Sequence, residues 1–140
     1  MKKYELELNE ENIKDTIEND ILGRNSNLII LGKMLLNQNE NIMISLDGSW
    51  GSGKTVFIKQ FEYLIRNIDK FTDNKVFVKQ DREIFKNLRD NNLVIYYNAW
   101  QNDDHDDPLK SIIYSILNEF PNQKKRLIDF KEYKKIVKGL

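Results

Sequence analysis

Nine consecutive residues carry the clearest chemistry in the sequence: Asp47, Gly48, Ser49, Trp50, Gly51, Ser52, Gly53, Lys54 and Thr55. From Gly48 they read G-x-x-x-x-G-K-T, the pattern of a phosphate-binding loop (Walker A). Wrapping a polyphosphate in backbone N–H groups needs a chain that comes close and takes dihedral angles that a Cβ forbids. Gly48, Gly51 and Gly53 allow both. A loop that then opens into a helix adds the unpaired first N–H groups and the positive end of the helix dipole. Lys54 reaches the β- and γ-phosphates, and the Thr55 hydroxyl is placed to ligate the Mg²⁺ that bridges them. The expected ligands are ATP, or another nucleoside triphosphate, and Mg²⁺. Residues Gly48, Ser49, Trp50, Gly51, Ser52, Gly53, Lys54 and Thr55 line the phosphates, with Thr55 on the metal.

The flanking patterns are those that position such a loop. Before it lies an apolar run, residues 42–46; after it lies a helical pattern, residues 56–65, ending near Asn67. Upstream, Ile13, Ile17 and Ile21 form one helical stripe. Leu28, Leu31 and Leu35, widened by Ile29, Ile30 and Met34, predict a helix buried on most sides. Downstream, residues 69–75 read as a loop and residues 76–78 as a short strand. Ile84, Phe85 and Leu88 mark a helical face. Residues 93–97 are a continuous apolar run, as expected of a parallel strand covered on both faces. Asp107 and Pro108 have the chemistry of an N-cap and first helical residue. Leu109, Ile112, Ile113, Ile116, Leu117 and Phe120 follow at helical spacing, and Pro121 is expected to stop that helix. Strand, loop, helix and strand predict an α/β fold, a three-layer, P-loop NTPase-like parallel sheet flanked by helices, left incomplete. The loop then lies at the carboxyl end of its strand, where open sheets bind ligands.

The bulk composition excludes several classes. The 140 residues have room for one domain, expected over residues 1–140. The 22 basic and 22 acidic residues cancel, so no global field points to nucleic acid. The absence of cysteine excludes disulfides, thiolate zinc sites and cysteine nucleophiles, and fits a cytoplasmic protein. No signal peptide or membrane span is visible. Richness in Asn, Ile and Lys fits an AT-rich bacterial or phage genome. Residues 124–140 carry seven bases against Asp129 and Glu132. This basic tail offers a peripheral contact to an anionic membrane or to nucleic acid, although a merely solvated or packing helix is the heavier expectation.

Beside the loop, two further segments carry a resemblance to a known family. Tyr97-Asn98-Ala99-Trp100 closes the second apolar run, and Asp20-Ile21-Leu22-Gly23-Arg24 precedes the first. With the tryptophan inside the loop, Trp50, they make the chain resemble the KAP family of P-loop NTPases over residues 20–120. The resemblance implies an ATP-binding domain of the ASCE type, of bacterial proteins linked to membranes or phage exclusion. It also implies that Arg24 lines the nucleotide site, against the alternative of a surface arginine. Asn98, at a strand end in the crevice, is expected to contact water or phosphate. Trp50 is expected to pack on the sheet or a neighbouring loop rather than stack on a base, and Trp100 to be near-core.

One part of the family pattern is missing. No apolar run ending in acidic residues follows Trp100, and Leu127-Ile128-Asp129 is short and set among lysines. The chain is therefore expected to hold the N-terminal part of a KAP domain, without the Walker B acid, the water-activating carboxylate or an arginine finger. ATPase activity then depends on groups supplied elsewhere. The alternatives are a non-enzymatic interaction module, docking onto a protein partner or its own copy, and a truncated gene product. Asp103, Asp104, His105, Asp106 and Asp107 could hold a cation, but acids before a helix N-terminus are expected simply to favour that helix.

Overall fold

The computed structural model describes residues 9–100 and 107–127, with side chains to residue 120. The regular elements are helices α1 (Glu10–Glu18), α2 (Asn25–Leu36), α3 (Lys54–Arg66), a short 3-10 helix (Ile68–Lys70), α4 (Lys79–Asn91) and α5 (Pro108–Leu127). The chain divides into two compact units, Met1–Leu88 and Arg89–Leu140.

The expected α/β sheet is not found. Among the described residues there is no β-strand, and residues 42–46, 76–78 and 93–97 contain no strand pairing. No hydrogen bond among the described residues involves residues 42–46. An apolar run reports that a segment gains from being covered. A strand additionally requires a neighbour bonded along its length, and that pairing is non-local. Here Ile42, Met43, Ile44 and Leu46 stay exposed, and the architecture is helical.

In the first unit α3 is the central element. It packs against α1, α2 and the short 3-10 helix. Its apolar positions Phe57, Leu64 and Ile65 are buried, followed by Ile68. The facing side of α1 buries Ile13, Thr16 and Ile17. The α1 stripe stops there, because Ile21 lies beyond the helix end and is exposed. Across the contact Gln60 Nε2 donates to Thr16 Oγ1 at 3.0 Å, and Thr16 Oγ1 donates to the Ile13 carbonyl at 2.7 Å. Asn9 caps α1 by accepting from Asn12 N at 2.8 Å. Glu10 and Glu11 place negative charge in the first turn, where the helix dipole favours it.

Aromatic rings fill the other side. Tyr63, Phe71, Phe77, Phe85 and Phe61 form a chain of edge-on or tilted contacts, with successive centroids 6.1, 5.8, 6.1 and 6.2 Å apart. Such geometry sets the positive ring edge towards the negative face, adding about 0.5–1.5 kcal/mol per pair beyond burial. Phe77 and Phe85 are almost fully buried. Helix α2 comes close to this cluster at Gly32, where a Cβ would lie 3.2 Å from both Ile84 and Phe85. Otherwise α2 is less buried than its sequence predicts. It buries Asn25, Leu28 and Gly32, while Ile30, Met34 and Leu36 are exposed. With residues 42–46 and α3, it borders an open apolar groove of about 450 Å³ lined by Leu31, Met34, Ile44 and Phe61 among others.

In the second unit Asp107 caps α5 as expected, accepting from Leu109 N at 3.0 Å. Two expectations change. Helix α5 continues through Pro121 to Leu127, since a proline removes one helical hydrogen bond and kinks a helix without having to end it. Its buried positions are Ser111 and Phe120, while Leu109, Ile112 and Ile116 are exposed. Residues 101–106, with His105 and the acids Asp103, Asp104 and Asp106, lie outside the described residues, as does most of the basic tail. No described helix is long and apolar enough to cross a membrane.

Phe85 touches both neighbouring rings and lies under Gly32, so truncating it leaves a cavity with little room to collapse. Phe85→Ala is expected to lower unfolding free energy by about 3–5 kcal/mol, measured by urea denaturation followed by circular dichroism.

Candidate functional site

The candidate loop is built by hydrogen bonds that its own residue types supply. Asp47 Oδ1 accepts from Gly48 N at 2.8 Å, turning the chain out of the preceding irregular run. Ser52 N then donates to the Ser49 carbonyl at 3.1 Å, closing a turn with Trp50 and Gly51 at its corners. The second corner of such a turn needs positive φ, and Gly51 has φ of 79°. Gly53 follows at φ 86° as the residue that starts α3. Gly48 has a different reason to be glycine: a Cβ there would lie 2.7 Å from Ser52 Oγ.

The turn explains where Trp50 goes. A corner residue projects away from the chain, and Trp50 is 94 % exposed instead of packed. Lys54 folds across the loop, its Nζ donating to the Gly48 carbonyl at 2.6 Å. Thr55 lies exposed in the first turn of α3. The first backbone bond into the helix runs from Phe57 N to the Gly53 carbonyl at 3.0 Å. Among the described residues no hydrogen bond uses the N–H of Gly53, Lys54, Thr55 or Val56, and no side chain caps the helix.

Arg24 comes to the loop from far along the chain. Its Nη2 donates to the Ser52 carbonyl at 2.7 Å, and Nη1 lies 3.5 Å from the Gly53 carbonyl. The turn between α1 and α2 delivers it. Asp20 adopts φ of 46° and Gly23 φ of 64°, and Asp20 Oδ1 accepts from Asn25 N at 3.1 Å. Asn25 Nδ2 donates to the Ile17 carbonyl at 2.8 Å, tying the start of α2 back to α1. Asp20 and Gly23 therefore shape the turn, and Arg24 is the side chain it presents. The grip of Arg24 on two loop carbonyls, rather than on a ligand, has no sequence signal beyond the Asp-x-x-Gly-Arg spacing. Nor does anything in the pattern announce the bond from Gly48 to Asp47.

Asn98 belongs to the second unit. Its Oδ1 accepts from Trp100 N at 3.0 Å, so its visible task is to cap the turn that ends residues 93–97. Trp100 is 83 % exposed, against the near-core position expected of it, because it sits on that turn and not on a covered strand. Among the described residues no group of three or more His, Cys, Asp or Glu side chains is arranged to hold a metal.

A glycine loop with adjoining lysine and threonine at the start of a helix is the pattern of the P-loop class of nucleotide-binding domains. Residues 24–138 match the model of the KAP family P-loop domain, and the chain belongs to that family. The match begins at Arg24 and runs past α5. No curated protein and no solved structure matches the chain.

Gly53 is held where side chains are disfavoured, but a Cβ there meets only the Arg24 guanidinium at ordinary contact distance, 3.5 Å. Gly53→Ala is therefore expected to act through backbone strain alone, lowering stability by about 1–2 kcal/mol. Urea unfolding of the two proteins measures it.

Proposed function

We propose that the chain binds ATP, or another nucleoside triphosphate, together with Mg²⁺ through Gly48, Ser49, Trp50, Gly51, Ser52, Gly53, Lys54 and Thr55. The observation that carries this reading is the row of four amides at residues 53–56. They have no described partner, at the end of a helix whose dipole favours an anion. Lys54 and Thr55 stand in the same turn. Moving the Lys54 ammonium from the Gly48 carbonyl to a phosphate oxygen replaces one hydrogen bond with a stronger, charge-assisted one between two ions. The Thr55 hydroxyl is exposed and suits a hard cation that prefers oxygen ligands and keeps several waters. Trp50, held out on the turn corner, offers a flat apolar face beside the loop.

Binding and hydrolysis are separate in this reading. The groups named here are donors and one metal ligand. Hydrolysis also needs a carboxylate to orient water and further ligands for the metal. ATPase activity accordingly depends on groups from outside the loop, supplied within the family domain or by a partner.

Calorimetric titration of MgATP into wild type and Lys54→Ala tests the binding. Affinity is expected to fall by about tenfold or more, the loss of a hydrogen bond between charged groups. Equal affinities of the two proteins would remove the reading. Thr55→Ala is expected to leave ATP binding measurable while reducing its dependence on Mg²⁺.

A further inference from the structure

We infer that Arg24 is a positioning residue of the loop, which turns the N–H groups of Gly53 and Lys54 towards the anion by holding the carbonyls of Ser52 and Gly53 on the opposite side. The inference rests on the nucleotide-binding reading for the identity of the anion, and on peptide geometry for everything else. In a planar trans peptide the C=O and the N–H point in opposite directions. All peptide bonds described here are trans. The Ser52 carbonyl shares its plane with the N–H of Gly53, and the Gly53 carbonyl shares its plane with the N–H of Lys54. Fixing both carbonyls from one side therefore fixes both amides on the other.

The guanidinium suits this task better than other side chains. Its N–H groups form a rigid planar fork, so one group can address two adjacent carbonyls. At Gly53 it lies close enough that a Cβ would touch both terminal nitrogens and Cζ. A residue without Cβ loses the most conformational freedom on ordering, and at Gly53 the fork adds to the bond by which Phe57 N already holds the same carbonyl. A fixed fork reduces what remains to be lost when an anion binds, which is how preorganisation raises affinity.

The fork is itself anchored. Asp20 holds the amide of Asn25, Asn25 holds the Ile17 carbonyl, and Ile17 is buried in α1. Helix α1 packs on α3, the helix that the loop opens into. The carbonyls and the group that grips them are thus tied to one body through two independent routes. Arg24 in this role does not touch the phosphates. It acts through the loop backbone, which distinguishes it from Lys54.

The test uses the full chain with Arg24→Ala and Arg24→Lys, the second keeping the charge while losing the fork. ¹⁵N relaxation without ligand reads the order parameters of Ser52, Gly53, Lys54 and Thr55. Both variants are expected to lose order at Gly53 and Lys54, with α1 and the C-terminal half of α3 unchanged. ATP and ADP affinities are expected to fall together, by about tenfold. Unchanged loop order in both variants would overturn the inference. So would wild-type behaviour of Arg24→Lys, which would make the charge the operative feature, or a fall confined to ATP, which would mean contact with the last phosphate. Should wild type bind neither nucleotide, the binding reading fails while the order parameters still decide the role of Arg24.

Discussion

Helix α3 must serve two incompatible environments along one backbone. Its C-terminal half is interior, with Leu64 and the following Ile68 completely buried. Its first turn is open: among the described residues no hydrogen bond uses the N–H of Gly53, Lys54, Thr55 or Val56. The buried half fixes the axis, and the axis fixes where the open end points. Register along that axis is set by a polar contact inside the apolar interface, where Gln60 meets Thr16 at 3.0 Å. Both residues are buried, so sliding or rotating α3 would leave the Gln60 amide N–H without this acceptor, while Thr16 Oγ1 keeps its bond to the Ile13 carbonyl. A buried polar group left unpaired costs about 1–3 kcal/mol, a larger penalty than most apolar misfits. The contact therefore selects one placement of α3 from several that hydrophobicity alone would accept.

From that fixed helix the loop extends backwards into a stretch with few restraints. Residues 42–46 bring no hydrogen bonds to it. What holds the loop is then short-range: Asp47 on Gly48, Ser49 on Ser52, and Lys54 on Gly48. Among the described residues, Arg24 supplies the tie from far along the chain. Two cations thus use their donors on loop carbonyls. The chain as a whole has no net charge, so the proposed attraction of an anion to this place rests on local arrangement.

The helical parts of this architecture were legible from apolar spacing, and they were legible because helix hydrogen bonds close within four residues. The patterns at Ile13 and Ile17, along α3, and at Phe85 and Leu88 all mark buried faces. So did the Asp107 cap, which is a contact two residues long. The expected sheet failed for the converse reason. Residues 42–46 and 93–97 have the composition of strands, yet strand pairing depends on a partner that composition does not name. Trp100 is exposed for the same reason, since a near-core position depends on a covered strand, whereas the exposed side of α2 shows that a wide apolar stripe does not by itself ensure burial on most sides. At the site, the glycine pattern predicts close approach and backbone angles that a Cβ disfavours at Gly48, Gly51 and Gly53; Gly51 and Gly53 take positive φ, whereas Gly48 meets only the close approach. It did not foretell that Trp50 would occupy the outer corner of the turn. Arg24 was legible as a residue of interest through family resemblance, but its partners were not, because carbonyl acceptors are present at every residue and leave no mark in the sequence.

The distribution of donors and acceptors around the loop also bears on what the loop can do chemically. The groups it carries are amides, an ammonium and a hydroxyl, and each is of a kind that stabilises negative charge. Orienting a water for attack calls for an acceptor such as a carboxylate, placed beyond the terminal phosphate. Asp47 is the carboxylate nearest in sequence, and its Oδ1 is engaged by the amide of Gly48, directed back at the start of the loop. Under the proposed nucleotide-binding reading, a loop so composed offers donors to a polyphosphate and no group that orients a water. Interactions made equally in the ground and transition states give affinity without acceleration.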